Sequence, residues 1–200
     1  MHEIVVSKRR VTPQQKAKRL EIIDETRKLL AEYGADISME MVGAAAQVSR
    51  STLYRYYVSR EHLISEVTLE AGNRLVEYLE YDPPKGKTIG ARTSYLCAQI
   101  VHVAEGSPKL LAACINNLAS DDPVVTDAYV EIEQIIPRIF GTVSGTQKLQ
   151  IAAEVWNTIF RYLFGGFILA TTGKLSYSEL AGDLAELCKS LLADIWDVKC

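Results

Sequence analysis

The chain has 200 residues, 48% hydrophobic and 24% charged, with twelve glycines and six prolines. This is the composition of one compact domain, or two small ones sharing a core, and it excludes a disordered, fibrous or low-complexity chain. The net charge of −3 excludes a protein that coats nucleic acid over its whole surface, yet residues 1–63 hold 11 Lys and Arg against 8 Asp and Glu, while residues 64–200 hold 11 against 17. A basic N-terminal part joined to an acidic remainder places any polyanion partner at one end. No alternating run marks a strand, whereas apolar residues recur with a 3.6-residue period throughout, so the predicted class is all-α with about nine helices.

In chain order, residues 1–14 are predicted to form a basic arm ending at Pro13, without the apolar stretch of a signal peptide. The first helix is expected from Gln15 to Tyr33, with Ile22, Thr26, Leu29, Leu30 and Tyr33 on one face and Gly34 as its stop. Ser38, Ser49 and Ser59 read as N-caps of three further helices reaching Ala46, Tyr56 and Leu79. The Pro-Gly stretch 82–86 divides residues 1–80 from residues 81–200. Beyond it, helices are predicted over 88–105, 108–119 (capped by Ser107), 123–140 (capped by Asp122, with Pro137 kinking or shortening it), 147–172 and 176–197. The most apolar stretch, 151–170, contains Glu154, Asn157 and Arg161 and reads as a buried helix rather than a membrane span.

The chemistry concentrates in residues 38–63. Two short helices around a tight turn make a helix-turn-helix. Val42, Ala46, Val48 and Leu53 are spaced to pack the pair together, with Gly43 and Ala45 allowing close approach. Arg50, Ser51, Thr52, Tyr54, Arg55 and Tyr56 are left to face outward, and guanidinium, hydroxyl and phenol groups suit a helix that reads a DNA groove.

In residue order this stretch resembles the DNA-binding domain of the TetR family of transcriptional regulators. That family's pattern is a Thr/Ser cap, an apolar-Ala pair, an Ala-Gly-Val-Ser turn, a Thr-Leu-Tyr-x-[His/Tyr]-Phe run and a Ser-Lys-x-x-Leu opening of the fourth helix. Ser38, Val42-Gly43, Ala46-Gln47-Val48-Ser49, Thr52 to Tyr57 and Ser59 to Leu63 match it. Gln47 stands where glycine is common, Tyr57 replaces phenylalanine and needs a partner for its hydroxyl, and Arg60 replaces lysine. The resemblance covers about residues 16–65; the rest agrees only in helix number and length.

It implies backbone-positioning contacts to DNA by Ser38, Thr52, Tyr54, Tyr56 and Arg60, and base reading by Arg50, Ser51 and Arg55, with Ser49 capping the recognition helix. Arg9 and Arg10, with Lys8, either enter a minor groove or form a plain basic tail. It further implies a C-terminal unit, 81–200, that binds an effector and dimerises. Expected pocket residues are Cys97, Ile100, Val101, Leu111, Cys114 and Ile115, with Leu118, Tyr129, Ile132, Trp156 and Phe160, each equally readable as core. This inventory favours a small apolar or aromatic effector, with Arg161 the one cation that could face a carboxylate, unless it lies on the surface or dimer rim. Dimerisation through the last two helices is expected at Phe164, Phe167, Leu184, Leu187, Leu191 and Ile195; Gly165-Gly166 marks either a close crossing or a kink.

No enzyme, cofactor or metal is expected. Two Glu-x-x-His pairs of a di-iron bundle are absent, since Ser59 and Gln99 stand three residues before His62 and His102. Cys97, Cys114, Cys188 and Cys200 form no CxxC pair and read as free thiols of a cytoplasmic protein. The expected function is therefore a homodimeric repressor that binds an inverted-repeat operator in double-stranded DNA and is released by its effector, with no membrane partner. An all-helical hydrophobe-binding adaptor without DNA activity, and an activator or co-repressor-dependent relative, remain the alternatives.

Overall fold

Helix α1, Pro13–Tyr33, starts two residues before the expected position. The Thr12 hydroxyl accepts from the Gln15 backbone N–H at 3.2 Å, and the Gln15 side-chain oxygen accepts from the Thr12 N–H at 2.9 Å. Thr12-Pro13-x-Gln15 is thus a capping box with proline at the first helical position; Pro13 opens the helix rather than ending the arm. Gly34, at φ +67°, closes it. Tyr33 points to solvent instead of the core, and Ile23 takes a core position beside Ile22, Thr26 and Leu30.

The computed structural model describes residues 12–144 and 153–193. Among them the remaining helices are α2 (Met39–Ala45), α3 (Arg50–Tyr56), α4 (Arg60–Tyr81), α5 (Ile89–Glu105), α6 (Pro108–Leu118), α7 (Pro123–Gly141), α8 (Ala153–Thr171) and α9 (Tyr177–Leu192), with a 3-10 turn at Thr142–Ser144 after α7. No strand occurs among the described residues. The expected helix segments at 147–152 and 194–197 lie outside them, as do Arg9, Arg10 and Ile195. Side chains of Ser38, Ser49, Ser59 and Asp122 cap their helices as expected. Ser107 occupies the N-cap position of α6, but its hydroxyl makes no capping bond. Helix α7 runs through Pro137 to Gly141, so the proline does not shorten it.

Buried side chains fall into three clusters. One gathers Ile22 and Leu30 of α1, Val42 of α2, Leu53 of α3 and Leu63 and Val67 of α4, and it also takes Ala113 from α6. A second joins Leu96 of α5, Ile159 and Leu163 of α8 and Leu180 and Leu184 of α9. A third pairs Leu69 and Val76 of α4 with Ala128, Ile132 and Ile135 of α7. Helix α4 also reaches the second cluster through Leu79; with α6, which contributes Ala113, Ile115 and Leu118, it touches all three.

Gly165 and Gly166 resolve into different roles. A Cβ at Gly165 would meet open space, whereas one at Gly166 would run into the Leu180 side chain of α9. Gly166 is therefore a close crossing point of α8 on α9. Gly166→Ala is expected to destabilise the fold by about 1–3 kcal/mol through overpacking, measured by urea denaturation. An unchanged midpoint would mean that Leu180 swings aside freely.

Candidate DNA interface and effector cavity

The helix-turn-helix is assembled from apolar contacts beneath and hydroxyl caps above. Val42, Ala46 and Leu53 are fully buried between α2 and α3. A Cβ at Gly43 would lie 3.2 Å from the Val48 carbonyl, so a larger residue would push the helices apart. The turn passes through Gln47 at φ +51°. A side chain is disfavoured there, which accounts for the glycine common at this place in the family pattern. The Ser49 hydroxyl accepts from the Thr52 N–H at 3.2 Å and donates to the Thr52 hydroxyl at 2.9 Å, fixing the first turn of α3.

On the outer surface of α3, Arg50, Ser51, Tyr54 and Arg55 are exposed along with Ser49, whereas Thr52 and Tyr56 are half-buried, as is Ser38 at the start of α2. The Arg50 guanidinium lies 5.4 Å above the Tyr54 ring and 3.3 Å from the Glu40 carboxylate. Arg55 lies 5.5 Å above Tyr56. These stacks hold two long cations close to the helix surface. Glu40 was absent from the sequence-based site. Its own backbone N–H, then the Ser38 hydroxyl and Arg50, hold its carboxyl below the usual range. An acid in the first turn of α2 beside a cation of α3 was the available signal. Arg60 is exposed; its guanidinium donates to the Ala35 carbonyl at 3.1 Å and pairs with Glu61 at 2.8 Å.

Behind the interface, Tyr57 is fully buried and donates its hydroxyl to the Arg19 carbonyl at 3.3 Å. That is the partner its replacement of phenylalanine demanded; burial pushes the phenol up to about 12. Arg19 pairs with Glu66 at 2.9 Å, tying α1 to α4. The His62 imidazole beside Glu66, and then Arg19, hold that carboxyl below the usual range against the opposing effect of burial.

A cavity of about 520 Å³ opens between α4, α5 and α6, and Phe167 of α8 also lines it. It is largely apolar and falls in the size range of small-molecule sites. Of the expected pocket residues it takes Ile100, Leu111 and Cys114. Cys97, Val101 and Ile115 are core instead. The thiol of Cys97 meets Cys188 across α5 and α9, and both remain free thiols. Leu118 and Ile132 pack in the α4–α7 cluster. Tyr129 shares a face of α7 with the buried Ile132 and Ile136, but it is itself exposed. Trp156 stacks on Phe140 at 4.9 Å, and Phe160 packs toward Phe164 at 6.2 Å, both against the second cluster. Arg161 is exposed and absent from the cavity. The wall that sequence reasoning missed comes from α4, where Val67, Ala71, Leu75 and Tyr78 recur at helical spacing.

The expected dimer stripe is also partly core. Leu184 is fully buried under α5, and Phe167 is buried on the cavity wall. Apolar residues at helical spacing mark a buried face without saying what buries it. Phe164, Leu187 and Leu191 are partly exposed at the edge of the same cluster. The apolar side chains left in solvent on α8 are Tyr162, Ile168 and Leu169.

Residues 22–67 match the family described as bacterial regulatory proteins, tetR family. An uncharacterised HTH-type transcriptional regulator of Mycobacterium tuberculosis is 27% identical over 164 residues, covering 80% of this chain and 72% of that protein. The HTH-type transcriptional repressor KstR of Rhodococcus jostii is 24% identical over 182 residues, covering 90% and 85%. Among solved structures, a TetR transcriptional regulator from Rhodococcus sp. RHA1 superposes with a TM-score of 0.80 at 17% identity, over 91% of this chain and 99% of that one. FadR from Bacillus subtilis in complex with stearoyl-CoA gives 0.62 at 17% identity, over 88% and 98%. These relatives are regulators rather than enzymes. No helix among the described residues is long and apolar enough to cross a membrane.

The Glu66 cluster has a pH signature. A carboxyl whose folded pKa is depressed contributes stability above its ordinary range, ~4.3, and loses it as pH falls through the folded value. Glu66→Gln is expected to cost about 1 kcal/mol or less at neutral pH, because the pair is partly solvated, and to flatten the loss of stability on acidification. Urea midpoints at neutral and acidic pH measure this; parallel losses in both proteins would remove Glu66 from the account.

Proposed function

Taking the chain as a TetR-family DNA-binding transcriptional regulator, we propose that it acts as a homodimeric repressor of an inverted-repeat operator, released when a small apolar effector fills the α4–α6 cavity. The observation that carries this reading is that α4 serves both ends. Its first turns pack into the core beneath the recognition helix, and its middle forms a wall of the cavity. Residues 1–80 read DNA, and residues 81–200 bind the effector and dimerise. The repressor assignment is supported by the likeness to KstR, and an acyl-type effector by the likeness to FadR holding stearoyl-CoA. The protein works in the cytoplasm, on the nucleoid.

Helix α6 supplies the second link. Leu111 and Cys114 face the cavity, while Ala113 packs into the DNA-reading unit's core. One turn on, the buried Asn117 side-chain amide donates to the Ser65 hydroxyl at 3.0 Å and to the Glu61 carbonyl at 3.2 Å. Ligand that separates α4 from α6 therefore pulls on the first turns of α4. In a dimer, the two recognition helices must match successive major grooves ~34 Å apart, and a shifted α4 breaks that match. The effector must prefer the non-binding state by about 1.4–3 kcal/mol to change operator affinity by roughly ten- to a hundredfold. Dimerisation is placed on the exposed face of α8, through Tyr162, Ile168 and Leu169, with Phe164, Leu187 and Leu191 at its margin.

Selection of binding sites from random duplex DNA, followed by anisotropy titration at several salt concentrations, tests the DNA half. An inverted repeat bound by two protomers with steep salt dependence is expected. Arg50→Ala should relax preference at particular bases by about 1–3 kcal/mol, whereas Tyr54→Phe should weaken all duplexes alike; an unchanged preferred sequence for Arg50→Ala would remove it from base reading. Leu169→Glu should convert the dimer to monomers in sedimentation velocity with helical content retained, and an unaltered dimer would move the interface off this face.

A further inference from the structure

The cavity's charge balance points to a narrower class of ligand. Two charged residues line it, Arg27 and Asp82. Asp82 has its own partners: Lys85 lies 3.5 Å from it, and the Tyr78 hydroxyl donates to it at 3.5 Å. Arg27 is differently placed. Its nearest carboxylate is Asp24 at 3.9 Å, and the same Asp24 oxygen is held at 2.8 Å by Arg74, which also pairs with Glu70 at 2.7 Å. Of the two guanidinium groups, that of Arg74 lies closer to the acid. The Arg27 guanidinium is about half exposed, at the rim of a largely apolar space that Thr68, Gln99, Ser107 and Asp82 also line.

An apolar tail inside and a cation at the water's edge fit one kind of molecule. We infer that the cavity takes an amphiphile whose anionic head group, carboxylate or phosphate, meets Arg27 while its tail lies between α4, α5 and α6. A planar guanidinium presents two donors to such a head group, which stays partly hydrated and so costs little to desolvate. Arg27 belongs to α1, in the DNA-reading unit. The head group therefore touches that unit directly, in addition to any push the tail exerts through α4 and α6. This inference rests on the cavity being the effector site.

Calorimetric titration of the full chain with decanoate, decyl phosphate and decanol, each below its micelle-forming concentration, separates the two ideas. All three should bind. The anions should bind about five- to tenfold more tightly than the alcohol, as expected of a rim-exposed, charge-assisted contact. Arg27→Gln should abolish that advantage and leave decanol unchanged, whereas Arg27→Lys should keep most of it. A gain for one anion alone identifies the head group and upholds the inference. Equal binding of all three to the unaltered protein, or an anion advantage that survives in Arg27→Gln, overturns the role of Arg27 and leaves the cavity reading intact. No binding of any of them overturns both. The helical content and urea midpoint of Arg27→Gln should match those of the parent, which shows that the variant is folded.

Discussion

Helix α4 has to satisfy three cores with one sequence. Leu63 and Val67 are committed to the helix-turn-helix, Leu69 and Val76 to α7, and Leu79 to the α5–α8–α9 cluster. The remaining stripe, Ala71 and Leu75, is left to the cavity. Of the two described helices that touch all three cores, α4 is the longer, and the rest of the arrangement follows from it. The recognition helix is held at a fixed angle because its core partner is also the partner of the effector unit. The cavity opens on the side of α4 where Val67, Ala71, Leu75 and Tyr78 face α5 and α6. Close-packed interiors transmit displacement rather than absorbing it.

Polar groups reinforce the same seams. Arg19–Glu66 crosses from α1 to α4, Asp24–Arg74 repeats the link farther along, and Asn117 joins α6 to the start of α4. The two ion pairs are partly solvated and contribute modestly to stability. Their value lies in register: each fits one relative placement of its helices. The Asn117 bond differs in being buried, so its loss would leave a polar group without compensation. On the proposed DNA face, Arg50 and Arg55 rest on aromatic rings, which limits their freedom and would lower the entropy lost on binding.

Local signals were the legible ones. Serine caps fixed the starts of α2, α3 and α4, and Gly34 fixed the end of α1. Residue order, more than composition, singled out the helix-turn-helix. Where the reading went astray, the sequence was ambiguous about partners. Leu184 sits in a stripe that any neighbouring helix could cover, and α5 covers it. Trp156 looked like a pocket aromatic and is a core one, because Phe140 of α7 lies flat against it. The α4 wall was missed because apolar residues recur around much of this helix, and the sequence does not say which of them meet a core and which a cavity. Arg27 was invisible as a cavity residue because it belongs to α1 and only tertiary structure brings it to the rim.

The length of α4 carries a further consequence. Twenty-two residues at 1.5 Å rise make a rod of ~33 Å. A rod turned by about 5° around one end moves its other end by about 3 Å, by the same helix dimensions. That is roughly the length of a hydrogen bond. In the proposed mechanism the helix would supply mechanical gain: work done by a ligand at the cavity over a short arc would be delivered over a longer one at the groove. A shorter helix of identical packing would need a larger ligand, or a softer interior, to produce the same mismatch.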